Sequence, residues 1–255
     1  MFNINFQHAL VAQGAIDGYM KGTGNTDVAV SFSQEGYDTY FFGEDAQEVD
    51  IAIKSVGFFL EHGITDSLDL VVTTSYLELN DQRGLQDAIV AVKYQNLHQV
   101  TASGTTTVIT SAGIGFPLGG YSTEVATPIG ERAVSFQTRI LAQYQTPTGL
   151  FGHLQTGFDF RIEPVNQFAV PVLVRGGFAG KYFYADAWLE RYHTLNAGRN
   201  MQIAGGQGSR WWKVGGTVYV PIVPGIGVVA NAARILSGEN IGESFRFGGG
   251  LVVRL

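Results

Sequence analysis

Residues 132–162 read RAVSFQTRILAQYQTPTGLFGHLQTGFDFRI, and this stretch decides the fold. In its first half Val134, Phe136, Ile140, Ala142 and Tyr144 alternate with Ser135, Gln137, Arg139 and Gln143. The turn signal Thr-Pro-Thr-Gly follows at 146–149. Beyond it Leu154, Phe158, Phe160 and Ile162 alternate with His153, Gln155, Asp159 and Arg161. A period of two places each set on one face of a strand, so the stretch predicts an antiparallel hairpin with one apolar and one polar face.

The same pattern extends outward. In 87–95, Ala88, Val90, Val92 and Tyr94 alternate with Asp87, Lys93 and Gln95. At the C-terminus Phe245, Phe247, Leu251, Val253 and Leu255 alternate with Arg246 and Arg254. From about Asp27 to Leu255 the chain divides into about twelve such segments, and none carries a helical period. A soluble sandwich alternates as well. Three features favour a membrane barrel instead. The segments are long against the ~5–6 residues usual in soluble strands. Their polar faces are rich in Gln, Ser, Thr and opposed charges, as a wet lumen requires. Tyr and Phe recur near strand ends, where interfacial girdles lie. The fold class expected is all-β, an antiparallel transmembrane β-barrel of about twelve strands, in a bacterial outer membrane.

Composition agrees. Only 15% of residues are charged, 34 are Gly and none is Cys. The mean hydropathy of +0.09 suits alternating strands, and no stretch approaches the ~18–20 continuous apolar residues that a transmembrane helix needs. A net charge of -6 without a basic cluster excludes nucleic acid as a partner. The absence of Cys excludes disulfides, thiolate metal sites and a Cys nucleophile.

Short connections are expected at 63–66, 146–149, 180–181 and 223–225, and longer ones at 36–48, 118–130, 195–208 and 237–243. Two connections break this alternation: 80–83 is short for an outer loop, and 97–104 is long for an inner turn. An even strand count leaves both termini on the periplasmic side. The domain division is 1–26, an N-terminal segment, and 27–255, the barrel. The opening MFNINFQHALVAQ lacks the basic start and apolar core of a secretory signal, and Ala12-Gln13 reads as the tail of a cleavage region. Residues 1–25 either plug the lumen or form a flexible terminus, and the sequence favours the terminus.

Several runs resemble a known family. They are Gly14–Gly24 (GAIDGYMKGTG), Tyr37–Phe42 (YDTYFF), the hairpin Leu60–Leu70 (LEHGITDSLDL) and the ending from Val223-Pro-Gly-Ile-Gly227 through Ser244-Phe-Arg-Phe247. The chain is similar to outer-membrane β-barrels of Bacteroidetes-type bacteria akin to the phenol-degradation-type (MetA-pathway) transporters. The resemblance covers most of the chain in layout and implies a barrel. It supplies no catalytic residues.

The candidate site follows from phase. The residues expected to line the lumen are Asp50, Lys54, Asp87, Lys93, Arg139, Asp159, Arg161, Arg175, Asp186, Glu190, Lys213 and Arg246. Together they form either a polar channel or an ion-paired network that fills a narrow barrel. Tyr144, Trp212, Phe245 and Phe247 are expected as membrane-interface anchors. Gly113-Ile-Gly115 and Gly205-Gly-Gln-Gly208 echo phosphate loops but do not open a helix after a strand. His193, with Glu190 nearby, is the one hydrolase-like pairing, and it lacks the adjacent Ser of barrel phospholipases. No catalytic residue, metal or cofactor is assigned, and the protein is not expected to be an enzyme. The partners expected are outer-membrane lipid and a small-molecule solute, hydrophobic ones included. The function expected is a passive channel or transporter. The alternative is a closed structural barrel whose loops 118–130 and 195–208 meet a protein partner or a second copy.

Overall fold

The computed structural model describes residues 16–42, 45–79, 82–120, 132–162, 166–195 and 208–255. Thirteen strand segments follow one another: β1 (Thr26–Phe42), β2 (Asp45–Thr65), β3 (Leu68–Leu79), β4 (Gln82–Leu85), β5 (Asp87–Thr101), β6 (Gly104–Pro117), β7 (Ser135–Gln145), β8 (Leu150–Arg161), β9 (Gln167–Ala179), β10 (Tyr184–Thr194), β11 (Arg210–Val223), β12 (Ile226–Glu239) and β13 (Ile241–Arg254). Apart from β4 and β5, which both pair with β3, each pairs antiparallel with its chain neighbours, and β1 pairs with both β2 and β13, so the sheet closes. β4 and β5 form one stave interrupted at Gln86. β3 pairs first with β5 (Thr73↔Ile89) and then, one residue out of register, with β4 (Tyr76↔Leu85). The barrel therefore has twelve staves.

The start of β1 and the end of β13 meet at one rim. The Thr26 N–H donates to the Leu255 carbonyl at 3.0 Å, and the Leu255 N–H donates back to Thr26 at 2.8 Å. Tight turns gather at the same rim. At 146–149 Gly149 takes a φ of 96°, which Gly adopts without a steric cost. The two irregular connections resolve. β5 continues to Thr101 across a bulge between Gln95 and Leu97, so the inner turn there is tight after all. Leu79 pairs directly with Gln82, so the outer connection beside it is a close hairpin. The expected longer link at 36–48 is instead mostly strand, because β1 and β2 stay paired out to Phe42↔Asp45. Most of the expected loops 118–130 and 195–208 lies outside the described residues.

The two faces of the wall sort by chemistry. Val30, Phe32, Val56, Phe58, Ile140, Leu154, Val174, Leu189, Val218, Phe245 and Leu251 are all exposed on the outer face. An apolar band circling the whole barrel is untenable in water, and it is what lipid requires. The inner face is not hollow at the terminal rim. Ile16 belongs to one buried cluster with Ala29, Phe59, Val71, Ala91, Phe151, Tyr184, Tyr219, Val229 and Val252, which come from strands around the circumference. Residues 16–21 therefore lie inside the barrel, and the exposed turn at 23–25 leads from them into β1; residues 1–15 of the expected N-terminal segment lie outside the described residues.

Candidate functional site

The strand registers fix which expected residues share the lumen. Lys93, Arg139, Asp159, Arg161, Arg175, Asp186, Glu190, Lys213 and Arg246 stand in the inward phase, and Asp87 begins the same phase on β5. Arg139 Nη1 donates to Asp159 Oδ1 at 2.6 Å. Arg246 Nε donates to Ser33 Oγ at 3.2 Å. Glu190 and Lys213 are direct cross-strand partners. Asp50 and Lys54 stand apart from the group. Both are exposed, and Lys54 shares the outward phase of Val56 and Phe58. The reason is length: β1 and β2 run 17 and 21 residues against 11–15 for most other staves. The excess carries polar residues on both faces, so charge there does not report the lumen.

The densest cluster lies at the terminal rim, where residues 16–25 meet the wall. Lys93 Nζ on β5 donates to Asp17 Oδ1 at 2.9 Å, to the Tyr19 carbonyl at 2.6 Å and to Glu61 Oε1 on β2. Lys21 reciprocates from the inner segment. Its Nζ donates to Asp27 at 2.8 Å and lies 3.1 Å from Glu61, and its N–H donates to Asp69 at 2.9 Å. Arg254 Nε closes the cluster by donating to Asp27 at 3.0 Å. The side chains of Lys93, Glu61 and Asp69 are 0 % exposed. Buried charges persist only when paired and hydrogen-bonded, and each of the two buried lysines here spans two or more carboxylates. Backbone contacts root the segment. The Gly24 N–H donates to the Gly63 carbonyl at 2.8 Å, and the Gly63 N–H donates to Asn25 at 2.9 Å. Gly63 must lack a side chain, because a Cβ there would overlap the Gly22 carbonyl. Outside the wall, at the turn, the Thr23 N–H and hydroxyl both donate to Asp66, which holds that carboxyl below its ordinary value.

Sequence reasoning missed Asp17, Lys21, Asp27, Glu61 and Asp69. For Glu61 a signal existed: Ser55, Gly57, Phe59 and Glu61 share one phase of β2. Asp17 and Lys21 lie in a segment without periodicity, so no phase could place them.

Above the inner segment a cavity of about 200 Å³ remains in the lumen. Ile16, Phe59, Ile89 and Ala91 give it an apolar side, and Ser111, Gln137, Arg139 and Gln155 give it a polar one. The inner segment is its floor.

The four expected anchors are all on the outer face: Tyr144, Trp212, Phe245 and Phe247 are 42, 41, 53 and 49 % exposed. Tyr144 sits at the terminal rim, its hydroxyl donating to the Ser103 carbonyl at 2.6 Å. Trp212 sits toward the other rim, with the Arg191 guanidinium 5.3 Å from its ring. Alternation separates the hydrolase-like pair, since Glu190 faces the lumen and His193 faces out. Among the described residues no group of His, Cys, Asp and Glu has the arrangement of a metal site.

Solved structures share this architecture. An outer membrane channel of the COG4313 type from Pseudomonas putida F1 superposes with a TM-score of 0.75 at 12% identity, covering 94% of this chain and 98% of that one. The NanC porin gives a TM-score of 0.56 at 10% identity, covering 87% and 98%. The translocator domain of the autotransporter NalP from Neisseria meningitidis gives 0.52 at 13%, covering 92% and 89%. At such identities the likeness is one of fold, and the fold is that of outer-membrane barrels. No curated protein sequence matches the chain. Residues 21–248 match the family described as "Putative MetA-pathway of phenol degradation", a span that takes in all but the ends of the barrel. The chain belongs to that family.

Proposed function

We propose that the protein is a passive outer-membrane channel for small solutes, and that the inward charges form the polar side of their path. The carrying observation is the lumen cavity of about 200 Å³, walled by apolar residues on one side and by Ser111, Gln137, Arg139 and Gln155 on the other. Ligand sites commonly combine apolar walls with a few placed polar groups. This volume suits a molecule smaller than the drug-sized ligands that fill ~300–1,000 Å³ pockets. Paired charges such as Arg139–Asp159 leave no single-sign field, so the path favours size and partial polarity over ionic charge. The match of the chain to a family named for phenol degradation supports a partly hydrophobic solute.

Liposome swelling tests this reading. Vesicles carrying the protein should swell in small solutes and should exclude solutes larger than the cavity. Replacing Ser111 with Trp, which fills the cavity from β6, should abolish the swelling. No swelling in any solute would end the proposal.

One observation favours the second reading, a closed structural barrel: the inner segment is tied to the wall by buried ion pairs. That reading predicts silence both in the native chain and in Lys93→Met, whose tie is cut. The channel reading predicts flux in the native chain and more in the variant.

A further inference from the structure

One row of the lumen wall holds buried donors that no described residue satisfies. His153 on β8, Arg175 on β9 and Trp188 on β10 are direct cross-strand neighbours on the inward face. They are 3, 3 and 2 % exposed. Among the described residues Arg175 Nε and Nη2 and Trp188 Nε1 have no hydrogen-bond partner, and the His153 ring reaches only the neighbouring Gln155 side chain. Buried polar atoms are normally satisfied, and each orphan carries a desolvation cost that a native protein does not keep without reason.

Asp186 balances the charge of Arg175 without filling the need: its Oδ2 stands 3.7 Å from Arg175 Nε, an ion pair beyond hydrogen-bond range. Its oxygens are engaged elsewhere: Oδ2 accepts from the Tyr184 hydroxyl, and Oδ1 accepts from the Thr217 N–H at 3.0 Å. The indole is held in place independently. It packs with Leu173 and Ala233, and it crosses Gly215, where any side chain would strike the ring.

These donors define a ligand. Indole N–H and guanidinium only donate, so the missing group is an acceptor. Nε and Nη2 form one edge of the guanidinium, the fork that takes both oxygens of a carboxylate. Gln155, two residues along β8 from His153, lines the cavity, so the row adjoins the space a solute would enter. We propose that His153, Arg175 and Trp188 form a binding site for a small carboxylate anion. The proposal concerns binding and does not require that the anion pass through the barrel.

The test is calorimetric titration of the detergent-solubilised full chain with sodium formate and sodium acetate, against sodium chloride of equal strength. Saturable binding is expected for the carboxylates and not for chloride. Losing a charge-assisted bidentate contact weakens binding by ~10- to 100-fold, so Arg175→Gln should lose most of it. Trp188→Phe removes one donor and keeps the ring, and it should weaken binding severalfold. Arg234→Gln, on the outer face, should bind as the native chain does. Heat-dependent migration on gels identifies folded barrels, and Trp188→Phe carries the test if Arg175→Gln does not fold. No saturable binding, an equal isotherm with chloride, or folded variants that bind as well as the native chain would overturn the assignment.

Discussion

Lys93→Met should release the inner segment from the lumen without dissolving the barrel. Lys93 is the bridge between wall and segment: its ammonium contacts Asp17 and the Tyr19 carbonyl on one side and Glu61 on the other. Met fills the stem's volume and removes the charge. Glu61 and Asp69 then keep Lys21 as their nearest cation, and Asp17 loses its own. Breaking a buried ion network by removing one partner costs about 3–5 kcal/mol. The barrel wall is held by continuous backbone ladders, so the cost falls on docking of the segment. Converted, it raises the undocked population by roughly a hundredfold to several thousandfold. The chain has no Cys, so a single Met20→Cys reports docking cleanly. Met20 is buried against Ile109 and Leu141. A water-soluble maleimide should label this thiol slowly in the native background and faster in Lys93→Met by about that factor. Lys93→Arg, which keeps the charge, should fall between. Equal labelling in native and Met backgrounds, in barrels that still migrate as folded, would refute the reasoning.

Three further outcomes follow from the same geometry. Ile140→Arg places a charge near the middle of the outward band and should destabilise the barrel by about 2–4 kcal/mol in lipid, measured by denaturant unfolding; the native Arg139 one residue away is tolerated because it faces inward. Gly63→Ala drives a methyl into the Gly22 carbonyl and should raise Met20→Cys labelling while leaving the barrel folded. Asp66 is depressed by the donors of Thr23, so its contact is intact above the ordinary carboxylate value of 3.8 and lost as pH falls through the lowered one. The Thr23 amide resonance should therefore titrate with a midpoint below 3.8, and Asp66→Asn should remove that step; a midpoint at or above 3.8 would contradict the assignment.

The wall was legible in the sequence because a lipid-facing strand must alternate. Phases read from 132–162 and 245–255 place Arg139, Asp159 and Arg246 on the inner face, where the structure has them. Reading failed where alternation stops being informative. Lys54 and Asp50 sit on the long β1–β2 hairpin, whose outer face is polar as well. Glu61 and Asp69 are single charges on otherwise apolar or small inward rows, and their reason for being there is a segment with no period of its own. Of the His153–Arg175–Trp188 row, the polar phase of His153 and the inward Arg175 were read from the sequence, but the row's character depends on cross-strand register and on Asp186 being engaged elsewhere. Neither can be read along one strand.

Single-channel recording in planar lipid bilayers tests the central claim most directly. The account predicts small discrete conductance steps from the native chain, larger steps from Lys93→Met as the inner segment leaves its floor position, and loss of the native steps in Ser111→Trp. A native chain and a Lys93→Met variant that both insert as folded barrels and both stay silent would contradict it.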